Sequence, residues 1–509
     1  MPDVDGFKNS DRNLVSLPPL PSVLIESLRN IGYTMETALA DIIDNSITAQ
    51  ASKVSVQFEW CNGDPWIATI DDGYGMSYET LLQAMRFGSN SPVRERDLND
   101  LGRFGLGMKT ASISQCRRVT VCTKHDSGIY CCEWDLDLFE NSLSSEWMLM
   151  VIEDSEIVSD ELLDRLVQKN LSNTSSGTIV LWRKLDSVLK GTDSGCSETK
   201  FNDIMDNARK HLETIFHRFL NPDYVGQALK IDLNRTGLKA YNPFGPSIPA
   251  RQELPLEIIN VEGGEIQIQP YILPHRSHVS QQDYDLYSGD EGYLQNQGFY
   301  VYRNKRLIMK ATWFKLIKKE ELNKLIRVRI DIPNCLDHLW NININKSQVS
   351  PPEVVRKQLK KIINKISGRG KRVFQKRAAR LASRGIVALW NRDLIEGKVR
   401  YSINYDHPMV KDVLDRLDEN DKTRLISCLD IVTSSFPYDV YYTDVASEEV
   451  EICKDVDTGI VRDLCRELII SFQQCGVEKD VVVERLQRIE IPAIDKINID
   501  EVICEVYHD

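Results

Sequence analysis

The apolar positions along the first half of the chain change period several times. Ser22–Ala49 reads as helical, and in its second half Met35, Ala38, Leu39, Ile42, Ile43 and Ile47 recur at helical spacing behind Thr34, a residue suited to cap a helix. Val54, Val56 and Phe58 then alternate with polar neighbours, the pattern of a half-buried strand. A second strand, Trp66–Ile70, runs into Asp71-Asp-Gly-Tyr-Gly-Met76, where Gly73 and Gly75 demand a turn. Residues 87–108 are rich in Gly, Ser, Asn, Arg and Asp and predict a long loop. A helix follows from Met108, with strands around Val119–Thr123, Ile129–Trp134 and Thr178–Trp182. This order of helix, strands, loop, helix and strands predicts an α+β sandwich, not the repeating βαβ of a doubly wound sheet.

A polar loop followed by a helix over 191–215 suggests a boundary near 195. Residues 220–350 again mix strands, among them Gly298–Tyr302 and Arg327–Ile332, with helices, and Pro351–Pro352 punctuates their end. The expected organisation is an N-terminal segment (1–20), a first domain (21–195), a second α/β domain (196–352) and a mainly helical region (353–509).

Composition narrows this picture. The 509 residues carry 42% apolar and 27% charged side chains, with a net charge of -12, an ordinary globular balance for about three domains. The absence of a long uncharged apolar run argues against a membrane span, and the first residues lack the pattern of a secretory leader, so a cytoplasmic setting is expected. Twelve scattered cysteines form no CxxC pair, which argues against zinc and redox modules. Most are expected to be small buried side chains in a reducing compartment.

Four segments carry chemistry. Asp41 and Asn45 are four apart on a helix and so share a face, a carboxylate beside an amide oxygen, suited to one magnesium ion and one activated water. Asp71 ends an apolar strand beside Gly73 and Gly75, where it is able to accept a hydrogen bond from an exocyclic amine. The run Leu101-Gly102-Arg103-Phe104-Gly105-Leu106-Gly107-Met108-Lys109-Thr110 presents backbone N–H groups ahead of a helix start, an anion site suited to polyphosphate. It is not the GxxxxGK[ST] loop. Ser176-Gly177-Thr178 enters a strand, and its hydroxyl is placed to support a purine. Singly, each has a plain alternative: a solvated helix face, an Asp-Gly turn, an ordinary loop.

In this order and spacing, across residues 36–182, the four segments resemble the GHKL ATPase superfamily (gyrase, Hsp90, histidine kinase, MutL). The resemblance extends over about residues 20–355 and is closest to prokaryotic MORC/MutL-like ATPases of phage-defence or restriction-associated operons. It implies a Bergerat-fold ATP site with helices over a mixed sheet and a lid over the phosphates. ATP and Mg2+ are the implied ligands. Asn45 would coordinate Mg2+, and Asp71 would contact the adenine amine. Gly73, Gly75 and Met76 would shape the base pocket, supported by Thr178. Gly102, Arg103, Phe104, Gly105, Leu106, Gly107, Met108 and Lys109 would form the lid and phosphate cradle. Asp41 stands where gyrase, Hsp90 and MutL carry a general-base Glu. One methylene shorter, it implies slow hydrolysis; Glu36 and Asp44 are poorer candidates.

Gly298–Ile308, Arg327–Pro333 and Trp340–Pro352 resemble the second, ribosomal S5 domain 2-like transducer domain of such proteins. Lys346 is the candidate for the γ-phosphate contact, whereas Arg303 and Lys305 receive no catalytic role. The resemblance implies a homodimer on ATP binding, a clamp on DNA, nuclease or helicase-like partners and antiviral defence. An Hsp90-like protein-remodelling or nucleotide-sensing scaffold is the alternative. The stretch Arg356–Arg384 holds twelve Lys/Arg and no Asp/Glu. That density makes Arg356, Lys357, Lys360, Lys361, Lys365, Arg369, Lys371 and Arg372 candidates for a DNA-backbone footprint, against the plainer reading of a solvated helix.

Overall fold

The computed structural model describes residues 20–30, 32–87, 107–126, 128–141, 147–189, 197–261, 263–337, 339–340, 350–367, 387–395, 398–438, 441, 457–491 and 494–508. They form two compact units that divide after Ser367. Five candidate lid residues (Gly102, Arg103, Phe104, Gly105, Leu106) and Lys346, Arg369, Lys371 and Arg372 lie outside the described residues.

The opening helical run is two helices, α1 (Pro21–Arg29) and α2 (Met35–Thr48), separated where Gly32 takes φ +86°. Thr34 starts α2 as expected, its N–H bonding the Thr37 hydroxyl at 3.0 Å. Leu39 and Ile43 are fully buried, so truncating Leu39 to Ala would cost about 2–5 kcal/mol.

β1 (Lys53–Glu59) and β2 (Trp66–Asp71) pair antiparallel. After α3 (Tyr78–Met85) and α4 (Gly107–Gln115) come β3 (Arg118–His125), β4 (Gly128–Asp135) and β5 (Met150–Ile152), then β6 (Gly177–Arg183), β7 (Lys230–Leu233) and β8 (Thr236–Gly237). Together they make an eight-stranded sheet in the order β5-β4-β3-β6-β2-β1-β7-β8. Its described pairings are antiparallel except β1 with β7, so the sheet is mixed, as expected. Alternation along the buried strand β2 serves both faces. Ile67 joins the core under α2 and α4, while Trp66, Ala68 and Ile70 pack against Leu163, Leu166 and Val167 of the helix Glu161–Asn170.

The first layer continues past residue 195. Phe201, Met205, Ala208 and Leu212 of the helix Glu198–Ile215 fill the α2 core, and β7 hydrogen-bonds β1. Sequence patterning places the boundary in a polar loop, but the strand that closes this edge of the sheet lies beyond it.

The second sheet contains β9 (Gln252–Glu253), β10 (Glu257–Val261), β11 (Gly264–Ile272), β12 (Gly298–Arg303), β13 (Arg306–Thr312) and β14 (Ile326–Ile332), in the order β10-β11-β14-β12-β13 with β9 on β11. Its core takes in Val355, Leu359, Ile362, Ile363 and Ile366. The helix over 353–367 therefore packs with this sheet, and the compact break falls fifteen residues after the Pro351–Pro352 punctuation, between Ser367 and Gly368.

The second unit combines a hairpin, Trp390–Ile395 with Lys398–Ile403, and helices including Pro408–Arg416, Glu419–Ser434, Thr458–Gln474 and Ile499–His508. Val461, Cys465, Leu468, Ile469, Val482 and Ile503 form its core. The expectation for the cysteines needs correction. Cys116, Cys132 and Cys465 are free and buried, but Cys61, Cys335, Cys428 and Cys475 are exposed, and Cys122 and Cys131, cross-strand neighbours on β3 and β4, form a disulfide.

Candidate functional site

β2 ends on Asp71, which pairs across the sheet with Thr178 at the start of β6. Asp71 Oδ1 accepts a hydrogen bond from the Gly73 N–H at 3.0 Å and Oδ2 accepts one from Ser46 Oγ at 2.9 Å. Burial drives its pKa up to about 6, although hydrogen bonds from Gly73, Ser46 and the Thr178 backbone pull the other way. The group is thus ionised at neutral pH and sits close to the point where it would not be.

A hydroxyl relay runs beside Thr178, the strand partner of this carboxylate. Thr123 Oγ1 accepts from the Met76 N–H at 2.9 Å, donates to Gly177 O at 3.1 Å and lies 3.3 Å from Thr178 Oγ1. The relay pins the Gly73–Met76 turn to β3. Gly75 takes φ +68°, and a Cβ there would fall 1.9 Å from Lys124 O. At Gly73 a Cβ would meet Ala49 at 2.8 Å. The protein's own backbone therefore requires both glycines.

On α2, Asp41 and Asp44 are buried, at 4% and 2% exposure, whereas Asn45 faces solvent. Asp41 Oδ2 accepts a hydrogen bond from the Tyr33 hydroxyl at 2.8 Å. The Tyr33 phenol is held protonated by burial and by the Asp41 charge. A Cβ at Gly107 would stand 3.6 Å from the same Asp41 oxygen, so the N-terminus of α4 opens beside this carboxylate. Asp41, Asn45, Gly107, Met108, Asp71 and Thr178 thus lie on elements that meet at one end of the sheet, with Met108 and Met76 partly buried against the core.

Lys109 departs from the sequence expectation. Its ammonium turns inward and donates to Ala84 O at 2.9 Å and Arg86 O at 2.6 Å. It thereby caps the C-terminal carbonyls of α3, and burial lowers its pKa to about 8. Its place two residues into α4 directs it at α3 instead of at the open end of the helix.

Sequence patterning also missed Tyr33, Ser46, Thr123 and Arg306. Arg306 is buried at the start of β13, and its Nε lies 3.0 Å from both Asp44 oxygens. Arg303, the last residue of β12 before the turn, pairs instead with Asp337 at 2.7 Å. Of the basic stretch, Arg356 contacts Phe314 O at 3.4 Å and Lys365 pairs with Glu257. Lys357, Lys360 and Lys361 are exposed.

Residues 33–178 match the family model described as Histidine kinase-, DNA gyrase B-, and HSP90-like ATPase. That span begins at Tyr33 and ends at Thr178, taking in Asp41, Asp44, Asn45, Asp71 and the glycine turn but not Arg306. Residues 33–178 are a GHKL ATPase domain. Within the curated proteins, the chain is 30% identical over 122 residues to ATPase morc-1 of Caenorhabditis elegans, covering 24% of this chain and 13% of that protein. It is 32% identical over 113 residues to the DNA mismatch repair protein MutL of Dictyoglomus turgidum (21% and 20%). It is 29% identical over 109 residues to that of Thermotoga maritima (21% of each). The matches span less than a quarter of these relatives' lengths.

A GHKL ATPase domain implies magnesium. The residues present fit it: Asn45 offers an exposed amide oxygen with no hydrogen bond among the described residues, and magnesium takes few protein ligands when phosphates and water supply the rest. Among the described residues, no cluster of three or more His, Cys, Asp or Glu could hold a metal alone. No described helix is long and apolar enough to cross a membrane.

Proposed function

We propose that the protein is a slow, Mg2+-dependent ATP hydrolase whose nucleotide state operates a dimerising clamp on DNA. The observation that carries this reading is the Asp71 carboxyl group, fixed by Gly73 and Ser46 at the end of β2 and paired across the sheet with Thr178. Such an acceptor suits the exocyclic amine of adenine, while the N-terminus of α4 suits the phosphates. Asn45 would hold magnesium, which supplies charge neutralisation at the phosphates when bound. Asp41 would take the proton of the attacking water. Lys346 would reach the γ-phosphate, and Gly102, Arg103, Phe104, Gly105 and Leu106 would close over it.

Slow turnover follows from Asp41. It is a methylene shorter than Glu, and the Tyr33 hydroxyl holds one of its oxygens. Misplacing a catalytic group by about 1 Å costs on the order of a hundredfold in rate. Single-turnover hydrolysis checks the assignment. Asp41→Asn should bind ATP like the wild type and hydrolyse it about a hundredfold more slowly. Wild-type hydrolysis by that variant would remove Asp41 from the mechanism.

The DNA arm rests on the exposed Lys357, Lys360 and Lys361, on the expectation for Arg369, Lys371 and Arg372, and on the MORC and MutL relatives. Defence against phage, with a nuclease or helicase-like partner, is the biological setting that the resemblance suggests; plaque assays on strains with and without the gene test it. One observation favours the protein-remodelling alternative. Ile431, Val432, Phe436, Tyr438 and Tyr441 are exposed apolar side chains in the second unit, with Phe436 packed against both tyrosines. Failure to shift DNA at low salt, with or without ATP, would select it.

A further inference from the structure

The nucleotide-site carboxylates are held from outside the ATPase domain. β12 and β13 are joined by Asn304 and Lys305, both at positive φ, and this tight turn sets Arg306 opposite Arg303 at the base of the hairpin. Tyr300, Tyr302 and Leu307, flanking the turn, are buried in the same core as Leu39 and Ile43 of α2, so the hairpin is seated firmly on the first sheet's helices. Two further contacts join the lobes: Arg218 with Asp331 at 2.6 Å, and His217 Nε2 with the Tyr302 hydroxyl at 2.8 Å.

From this seat the Arg306 guanidinium reaches two carboxylates of α2 at once. Nε lies 3.0 Å from both Asp44 oxygens, and the terminal nitrogen Nη2 stands 3.9 Å from Asp41 Oδ1. Its other terminal nitrogen, Nη1, donates to Leu307 O at 2.8 Å, and the guanidinium carbon Cζ lies 5.4 Å from the Phe216 ring centroid. Asp41 is thereby flanked on Oδ2 by the Tyr33 hydroxyl and on Oδ1 by Arg306. Two buried carboxylates three residues apart on one helix repel each other, and a guanidinium between them offsets that repulsion while limiting where each can point. Lysine cannot reproduce this, because a single ammonium lacks the planar fork.

We propose that Arg306 is a positioning residue for ATP hydrolysis. Acting through Asp44 and Asp41 without touching nucleotide, it makes the orientation of the water-activating carboxylate depend on the seating of the second lobe. The inference rests on the nucleotide-site reading above and deepens it.

The full-length protein and its Arg306→Ala, Arg306→Lys, Asp44→Asn and Arg306→Ala/Asp44→Asn variants test it. Three quantities are measured: the Kd for a fluorescent ATP analogue, single-turnover ATP hydrolysis and the Tm. For Arg306→Ala we expect about a hundredfold loss in the hydrolysis step with Kd changed by no more than about twofold. Arg306→Lys should keep Tm near wild type and hydrolyse at an intermediate rate. The double variant should regain Tm, since the Asp44 charge that Arg306 offsets is gone, yet remain slow, since Asp41 still lacks its flank. Recovery of both Tm and rate in the double variant would reduce Arg306 to a structural counter-charge and overturn the proposal. Wild-type hydrolysis in folded Arg306→Ala, or no hydrolysis in the wild type, would overturn it as well. Asp71→Asn separates the two levels. If that variant binds ATP normally, the site reading fails; if it loses binding while Arg306→Ala hydrolyses normally, only the role of Arg306 fails.

Discussion

Lowering the pH should weaken adenine binding before it disturbs anything else in the site. The perturbation is protonation of Asp71, whose pKa burial has raised from 3.8 to about 6. As a carboxylate it accepts from an amine; as a carboxylic acid it loses half of that capacity and gains a competing proton. At pH 7 about nine-tenths of the groups are ionised and at pH 5 about one-tenth, so affinity should fall about tenfold, or ~1.4 kcal/mol. The same shift has a stability consequence of opposite sense. Between pH 4 and 6 the folded state holds a proton that the unfolded chain has released, so stability falls as pH rises through that window. With the pKa moved from 3.8 to about 6, the upper limit of this contribution is ~3 kcal/mol. Adenosine is the suitable probe, because it carries no phosphate that titrates in the same range. Its Kd, measured by competition calorimetry from pH 8 to pH 5 at constant ionic strength, should be flat above pH 7 and rise steeply below pH 6. A Kd unchanged across the range would refute the assignment of Asp71 as the amine acceptor.

Other outcomes follow from local geometry. Gly75→Ala should destabilise the domain by several kcal/mol or prevent folding, because its Cβ would stand 1.9 Å from Lys124 O and φ is +68°; a wild-type denaturation midpoint would contradict this. Lys109→Met should lower stability by about 1–3 kcal/mol through the lost bonds to the Ala84 and Arg86 carbonyls, with little direct effect on ATP affinity. A large affinity loss at unchanged stability would return Lys109 to the phosphate site. Replacing Lys357, Lys360 and Lys361 with Ala should flatten the salt dependence of DNA binding by a slope of about 2–3 in log–log form, and an unchanged slope would place the footprint elsewhere.

What the sequence made legible was local. The 3.6-residue period exposed α2, and strict alternation exposed β1. The abrupt change from an apolar strand to Asp71-Asp-Gly-Tyr-Gly located the site's carboxylate, and the register of β2 on β6 then brought Thr178 opposite it. What stayed hidden depends on tertiary seating. Arg306 is 262 residues from Asp44, and no periodicity links a hairpin base to a helix in another lobe. The direction of the Lys109 side chain was set by open carbonyls on α3, a partner invisible in the glycine run around it. The pairing of Cys122 with Cys131 came from strand register, not spacing. The 390–403 hairpin was missed because Asn391, Arg392, Asp393, Lys398 and Arg400 blur its alternation. Charge density marks the basic stretch as a DNA-backbone candidate or a solvated helix, yet its first turns are amphipathic: Val355, Leu359 and Ile362 bury into the second sheet while Lys357, Lys360 and Lys361 remain outside.

The central claim is that this end of the sheet binds ATP through Asp71. Titration of the full-length protein with ATP and Mg2+ at pH 7.5, wild type beside Asp71→Asn, tests it most directly. The account predicts saturable binding by the wild type and none by the folded variant. Equal binding by the two proteins would contradict it.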